Sequence, residues 1–159
     1  MSEGVYHPGV YSPRVNGAFT FYDGQAHFYF NERWKEGKTA FNVADSVMRT
    51  AAQHHGMGFW QDMLIHNYKI IEHERPDDQV HRYRSLCLYK DRVCVIQSDE
   101  MPLGDFIQEL VNLGVQEALY IDMGTGWNHS WYRKGTKQIY TEIFPKTHPY
   151  QTNWITFYK

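Results

Sequence analysis

The sequence has few cysteines, no long apolar run and no excess of basic charge. Its two cysteines, Cys87 and Cys94, are too few for a disulfide framework. No apolar stretch approaches the roughly 20 residues that cross a bilayer, so we expect no membrane span. Sixteen basic and eighteen acidic residues give a formal net charge of −2. This balance argues against a nucleic-acid-binding protein, which needs a basic surface to displace phosphate counterions.

The sequence also lacks a targeting signal and a metal-binding pattern. The N-terminal residues MSEGVYHPGV have neither the basic start nor the apolar region of a signal peptide, so we expect none in this chain. His54 and His55 are adjacent, and neither has a ligand partner at the spacing of a helical metal site. We therefore expect no structural zinc site. A hard cation held by Asp122 and loop carbonyls is an open alternative that nothing in the sequence indicates, so we expect no metal and, separately, no cofactor. The compartment is not fixed by these features.

Aromatic residues are abundant, at 16% of the chain. Such side chains fill β-rich cores, and they also provide flat apolar faces on which sugar rings pack. We expect most of them in the core.

The first half of the chain predicts a hairpin and a helix. Residues 18–22 and 25–30 alternate around Asp23-Gly24, a dipeptide that suits a type I′ turn. A helix is predicted over 43–55, capped by Asn42 and ended by Gly56. Its apolar face comprises Val43, Val47, Met48 and Ala51. Two short β segments are predicted at 63–65 and 70–71, followed by an exposed polar loop at 72–78.

The second half predicts a β-α-β crossover between two hairpins. Residues 85–89 and 92–97 flank a turn at Lys90-Asp91, which places Cys87 opposite Cys94 as two reduced thiols. Apolar residues that recur three, four, seven and eight positions apart predict a helix over 103–113. A strand at 118–121 is predicted to follow it and to run parallel to 92–97. A hairpin at 129–133 and 137–143 and a strand at 153–158 complete the chain. The fold class is therefore α+β: a mostly antiparallel sheet with one or two helices packed on it and one β-α-β crossover. The length predicts a single domain, 1–159.

The end of the crossover is the best position for chemistry. Asp122 follows the predicted strand directly and is itself followed by Met123-Gly124-Thr125-Gly126. Loops at the carboxyl ends of such strands carry ligand sites in open sheets, and glycines let backbone N–H groups approach an anion. The pattern alone is more typical of a plain turn.

Several segments, in order, resemble the phosphodiester glycosidase domain family. ALYIDMGTGW at 118–127 is similar to the family signature Ala-x-x-Leu-Asp-Gly-Gly-Gly-Ser-Ser. The other similar segments are VNGAF at 15–19, QDMLIHNYKI at 61–70, RSLCLYKDR at 84–92, LVNLGVQEAL at 110–119 and TNWITFY at 152–158. The chain departs from the family pattern at Met123, at Gly126-Trp127, at Ala18 and at Asp62-Met63. It also starts close to the Asn-Gly segment, so we expect the preceding strand and helix to be missing or reduced.

The resemblance implies hydrolysis of a sugar-1-phosphodiester, and a secreted or periplasmic location. Asp122 and Arg84 would be catalytic. The planar guanidinium of Arg84 would bind the phosphate, and Asp122 would act as general acid or base. The substrate-binding residues would be Asn16, Gly17, Gln61, Gly124, Thr125 and Trp127. Glycoside cleavage usually uses two carboxyl groups. Asp62 and Asp23 are candidates for the second, and turn chemistry alone explains Asp23.

Two alternatives remain. The first is a non-catalytic domain that retains the family scaffold and binds a glycan or phosphosugar. The absence of the two signature serines, where this chain has Gly126-Trp127, favours this alternative. The second is a reduced domain whose missing strand comes from another copy of the chain, which predicts a homo-oligomer. In each case the expected partner is a sugar phosphodiester or glycan ligand rather than a nucleic acid.

Overall fold

A computed structural model describes residues 15–121 and the two segments 130–133 and 140–144. The chain divides into two compact units, Met1–Ile121 and Asp122–Lys159. The prediction of a single domain over 1–159 stays a prediction.

A three-stranded antiparallel sheet, here called sheet A, begins the first unit. Its strands are β1 (Gly17–Tyr22), β2 (Gln25–Phe30) and β3 (Met57–Gln61), in the order β2-β1-β3. Asp23 and Gly24 between β1 and β2 have φ angles of 51° and 74°, as a type I′ turn requires, so the first hairpin is confirmed. The local pattern does not indicate β3, because Gly58 interrupts its alternation.

Helix α1 (Lys38–Gln53) begins earlier than predicted. Its N-cap is Gly37, which makes no side-chain capping bond, so the assignment of Asn42 as the cap is wrong. The helix also ends before Gly56, and His55 takes the left-handed conformation with φ 53°. Among the side chains of α1 that the structure describes, the buried ones are Ala40, Ala44, Met48, Ala51 and Ala52. The alanines let the helix approach β1 and β3 closely, whereas Val43 and Val47 are only half-buried.

A five-stranded sheet, here called sheet B, forms the centre of the unit. Its strands are β4 (Met63–His66), β5 (Lys69–Ile70), β6 (Val80–Tyr89), β7 (Arg92–Pro102) and β8 (Glu117–Tyr120). The order is β5-β4-β8-β6-β7, and all these neighbours pair antiparallel. The predicted second hairpin is confirmed but longer, because residues 80–84 and 98–102 continue the pairing.

Helix α2 (Leu103–Leu113) has the predicted bounds. Leu103, Phe106, Ile107 and Leu110 are buried, and Gly114 ends the helix at φ 80°. Strands β7 and β8 both run antiparallel to β6, so they are parallel to each other and α2 connects them across β6. The fold class, α+β with a mostly antiparallel sheet, is confirmed.

Two cores hold these elements together. One lies between sheet B and α2 and includes Leu64, Tyr83, Phe106 and Ala118. The other lies between the two sheets, with Phe19 from sheet A against Met63, Leu86 and Leu119 from sheet B. Helix α1 packs on β1 and β3. Because successive residues of a strand face opposite sides, the side chains that share a face with Leu86 and Leu119 point toward sheet A.

Cys87 and Cys94 are register partners on β6 and β7, and both thiols are free. Burial raises the pKa of the Cys87 thiol strongly and that of the half-buried Cys94 thiol less. Since the thiolate is the reactive form, we expect iodoacetamide at pH 8 to label native Cys94 slowly and Cys87 more slowly still. Urea should make both react alike. Mass spectrometry of the labelled peptides measures the two rates, and equal rapid labelling of the native protein would contradict the burial argument.

The second unit contains an antiparallel pair, β9 (Ser130–Arg133) and β10 (Tyr140–Phe144). This pair confirms the predicted last hairpin, with a register shift between Glu142 and Phe144. The predicted strand at 153–158 lies outside the described residues. Among the described helices, neither is long and apolar enough to cross a membrane.

Candidate functional site

Three of the segments that carry the resemblance meet at the carboxyl end of β8. The Tyr120 N–H donates to the Asp62 carbonyl at 2.8 Å, and the Ile121 N–H donates to the Arg84 carbonyl at 2.8 Å. The third segment joins through Asn16, whose side chain binds the backbone of Met63. In sequence, Asp122 follows Ile121 directly. Residues that are distant along the chain are therefore brought together where the sequence predicts the site.

Asn16 connects this end of β8 to its surroundings. The residue has no exposed surface. Its Oδ1 accepts the Met63 N–H at 2.5 Å, and its Nδ2 donates to the Glu72 carbonyl at 3.0 Å and to the Met63 carbonyl at 3.4 Å. These bonds fix the start of β4 and the beginning of the loop after β5. Asn16 therefore holds these backbone segments in place.

Gly17 and Gln61 are direct register partners on β1 and β3. A Cβ at Gly17 would lie 2.8 Å from Met63 Cβ and 3.0 Å from both the Gln61 carbonyl and Leu119 Cδ1, so only glycine allows the two sheets to approach here. Gln61 is half-buried, and its Oε1 accepts the Asp62 N–H at 3.2 Å. Both residues lie next to β8. Of the two, only Gln61 has a side chain.

Arg84 lies beside a bulge in the β6–β7 pairing, between Arg82 and Arg84. Bulges redirect the side chains next to them. The Arg84 side chain is half-buried on the face that it shares with Leu86, and its Nε and Nη2 donate to Gln97 Oε1 at 3.0 and 2.6 Å. Burial lowers the pKa of Arg84 from its ordinary value, because desolvation disfavours the charged form.

The other predicted site residues are Asp122, Gly124, Thr125 and Trp127, and they lie outside the described residues. The structure therefore brings together Asn16, Gly17, Gln61 and Arg84 around the end of β8, while the roles assigned to all eight residues stay predictions.

An ion pair that the sequence does not predict lies at the same end of β8. Arg75 Nε donates to Asp62 Oδ2 at 2.5 Å, and Arg75 Cζ lies 3.8 Å from the centre of the Tyr120 ring. The Asp62 side chain is only 8% exposed. A buried carboxylate is stable only with a charged or hydrogen-bonding partner, which Arg75 supplies. Asp62, one of the two candidates for a second carboxyl group, is therefore paired in this structure.

A histidine and a carboxylate also pair at the opposite end of β8. His66 Nδ1 lies 2.8 Å from Glu117 Oε2, and the Asn67 N–H donates to Glu117 Oε1 at 3.2 Å. Glu117 is buried at 5% exposure. The carboxylate fixes the orientation of the imidazole and the turn after β4. Through these bonds the pair holds the turn after β4, which is a structural role.

A shallow polar hollow of about 450 Å³ lies along α1, away from the predicted site residues. Its lining consists of Asn42, Asp45, Ser46, Arg49, Thr50 and Gln53. These side chains occupy the solvent side of an amphipathic helix, where polar residues are ordinary. Within residues 15–121, no three His, Cys, Asp or Glu side chains are grouped as a metal site would require.

Comparison of the chain with protein-family models, with curated proteins and with solved structures finds no match. The function is therefore inferred from the residues and the geometry around β8.

Proposed function

We propose that this protein hydrolyses a sugar-1-phosphodiester. The observation that supports the proposal is the meeting of three chain segments, which contain Asn16-Gly17, Gln61-Asp62 and Arg84, at the carboxyl end of β8. The resemblance assigns the ligand to these segments and to the loop that begins at Asp122. Chance similarity in separate stretches of sequence gives no reason for those stretches to be neighbours in the fold.

The reaction requires stabilisation of a departing phosphate and activation of water. Water attacks the anomeric carbon of the sugar, the bond from that carbon to the phosphate oxygen breaks, and a phosphomonoester leaves. In the proposal, the Arg84 guanidinium binds the phosphate and offsets its developing charge. Asp122 takes the proton of the attacking water or gives one to the leaving oxygen. Because the Asp62 carboxylate is paired with Arg75, Asp122 acts as the one general acid or base.

The direct test is sugar release by the purified chain. We expect free sugar and phosphomonoester, in equal amounts, from hexose-1-(methyl phosphate) diesters. Anomeric proton signals in NMR distinguish the substrate from the released sugar and also identify which bond is broken. Release of methanol with retention of the sugar-1-phosphate would identify a phosphodiesterase instead and overturn the proposal.

A second function is a glycan- or phosphosugar-binding domain without catalysis. The complete burial of Asn16 favours it, because the amide that the resemblance assigns to the substrate is used to hold backbone. The same diesters distinguish the two functions. Calorimetric binding with no product after prolonged incubation would support the binding domain, whereas turnover would exclude it.

A further inference from the structure

The Arg75 guanidinium is fixed by two contacts beside the carboxyl end of β8. The Tyr120 ring lies against its flat face, with 3.8 Å between Cζ and the ring centre. Asp62 Oδ2 accepts its Nε–H at 2.5 Å. A cation on an aromatic face is attracted by the ring quadrupole, and the carboxylate fixes rotation within the plane. The guanidinium therefore has a defined orientation before any ligand arrives.

The terminal edge of this guanidinium is unused. Within the part of the chain that the structure describes, Nη1 and Nη2 of Arg75 make no hydrogen bond. Neither atom is among the buried polar atoms that lack a partner, and 33% of the side chain is exposed. The two terminal nitrogens are thus accessible to solvent, and together they carry N–H donors in the planar arrangement that matches two oxygens of one anion.

We propose that the Nη1–Nη2 edge of Arg75 binds the phosphate group of the substrate. The choice of phosphate over other oxyanions rests on the proposed function. Asp62 occupies the Nε edge and does not block the terminal edge. The negative charge of Asp62 partly neutralises Arg75. Phosphate binding therefore depends more on the oriented N–H donors of Nη1 and Nη2 than on net charge. A lysine has a single charged ammonium group and no planar pair of donors, so it cannot replace Arg75 in this contact.

Arg75 and Arg84 lie on different faces of sheet B. Tyr120, on which Arg75 lies, belongs to the core under α2. Arg84 shares the opposite face of sheet B with Leu86, and its guanidinium donates to Gln97. Phosphate binding by Arg75 is therefore inferred from the contacts of Arg75 with Asp62 and Tyr120 and does not depend on Arg84.

Chemical modification tests the site on the unaltered chain. Phenylglyoxal reacts with accessible guanidinium nitrogens, and peptide mass spectrometry reports each arginine separately. At a phosphate concentration about ten times the Kd, we expect modification of Arg75 to slow about tenfold, because only the unbound fraction reacts. Acetate at equal ionic strength should protect less. Arg92, at the far end of the β6–β7 hairpin, should react at the same rate throughout. Unchanged Arg75 modification in phosphate would overturn the inference.

Substitution gives a second test. Arg75→Lys keeps the charge, and we expect it to weaken phosphate binding about tenfold in calorimetry. Arg92→Lys is the matched control and should bind as the unaltered chain does. A purely structural Arg75 would lower the melting temperature on substitution and leave phosphate affinity unchanged in the folded protein. If Arg75→Lys does not fold, the protection experiment still decides the question.

Failure of this inference and failure of the proposed function are distinguishable. Protection of Arg75 by phosphate without any sugar release would retain the site and reject the hydrolase. Sugar release with an unprotected Arg75 and an unchanged KM in Arg75→Lys would retain the hydrolase and reject the site.

Discussion

Asp122→Asn is expected to abolish sugar release. The amide has nearly the shape of the carboxylate but cannot take up or supply the proton that the reaction moves. Loss of a general acid or base costs about 10²–10⁴-fold in rate, and Asp62, the carboxylate of the described residues nearest this end of β8, is bound to Arg75 and does not compensate. The measurement is kcat from product formation, with substrate affinity determined separately by calorimetry.

Two comparisons make this result specific to proton transfer. Substrate should still bind Asp122→Asn, since the phosphate contacts assigned to Arg84 remain. Asp105→Asn, on the exposed first turn of α2, is the matched control and should turn over normally. Equal turnover by Asp122→Asn and the unaltered chain would remove Asp122 from the mechanism. Loss of binding together with turnover would instead assign it to ligand recognition.

The parts of the fold that the sequence predicts well are those with local causes. Asp23-Gly24 determines the first turn because both residues adopt positive φ. The apolar spacing from Leu103 to Leu110 and the left-handed Gly114 determine α2 at both ends. Helix α1 is different, because Gly37 gives no side-chain cap and alanines form its buried face. Its early start depends on packing against sheet A, and no local sequence pattern indicates that packing.

The candidate site depends still more on long-range contacts. Motif similarity selects Asn16 and Arg84, and the structure brings their segments to β8. It does not select Arg75, which is 13 residues from Asp62 in sequence and stands in a stretch that resembles an ordinary polar loop. Burial of Asn16 is likewise invisible in the sequence, since an asparagine before glycine is typical of a turn. The distinction between a ligand-binding amide and a structural one requires the fold.

Asn16→Ala is expected to lower the free energy of unfolding by about 3–5 kcal/mol. The substitution leaves the Met63 N–H and the Glu72 carbonyl without their buried partner, and each such group costs about 1–3 kcal/mol. A void at a fully buried position adds to this cost. Urea denaturation monitored by tryptophan fluorescence measures the change. Asn42→Ala, at an exposed position on α1, should change stability by less than about 0.5 kcal/mol.

The stability of Asn16→Ala also separates the two roles that Asn16 has been given. A substrate-binding amide would lose affinity on substitution while the protein remained as stable as before, since surface groups contribute little to folding. If Asn16 instead connects buried backbone segments, its substitution would first lower the stability of the protein. Activity would then fall only as the unfolded fraction rises. Because Asn16 holds the start of β4 and, through the Glu72 carbonyl, the loop that carries Arg75, its removal should also loosen that loop. Phosphate should then slow the phenylglyoxal reaction of Arg75 less than it does in the unaltered chain, even below the unfolding temperature. Retention of both stability and phosphate protection in Asn16→Ala would show that other contacts hold this end of the sheet.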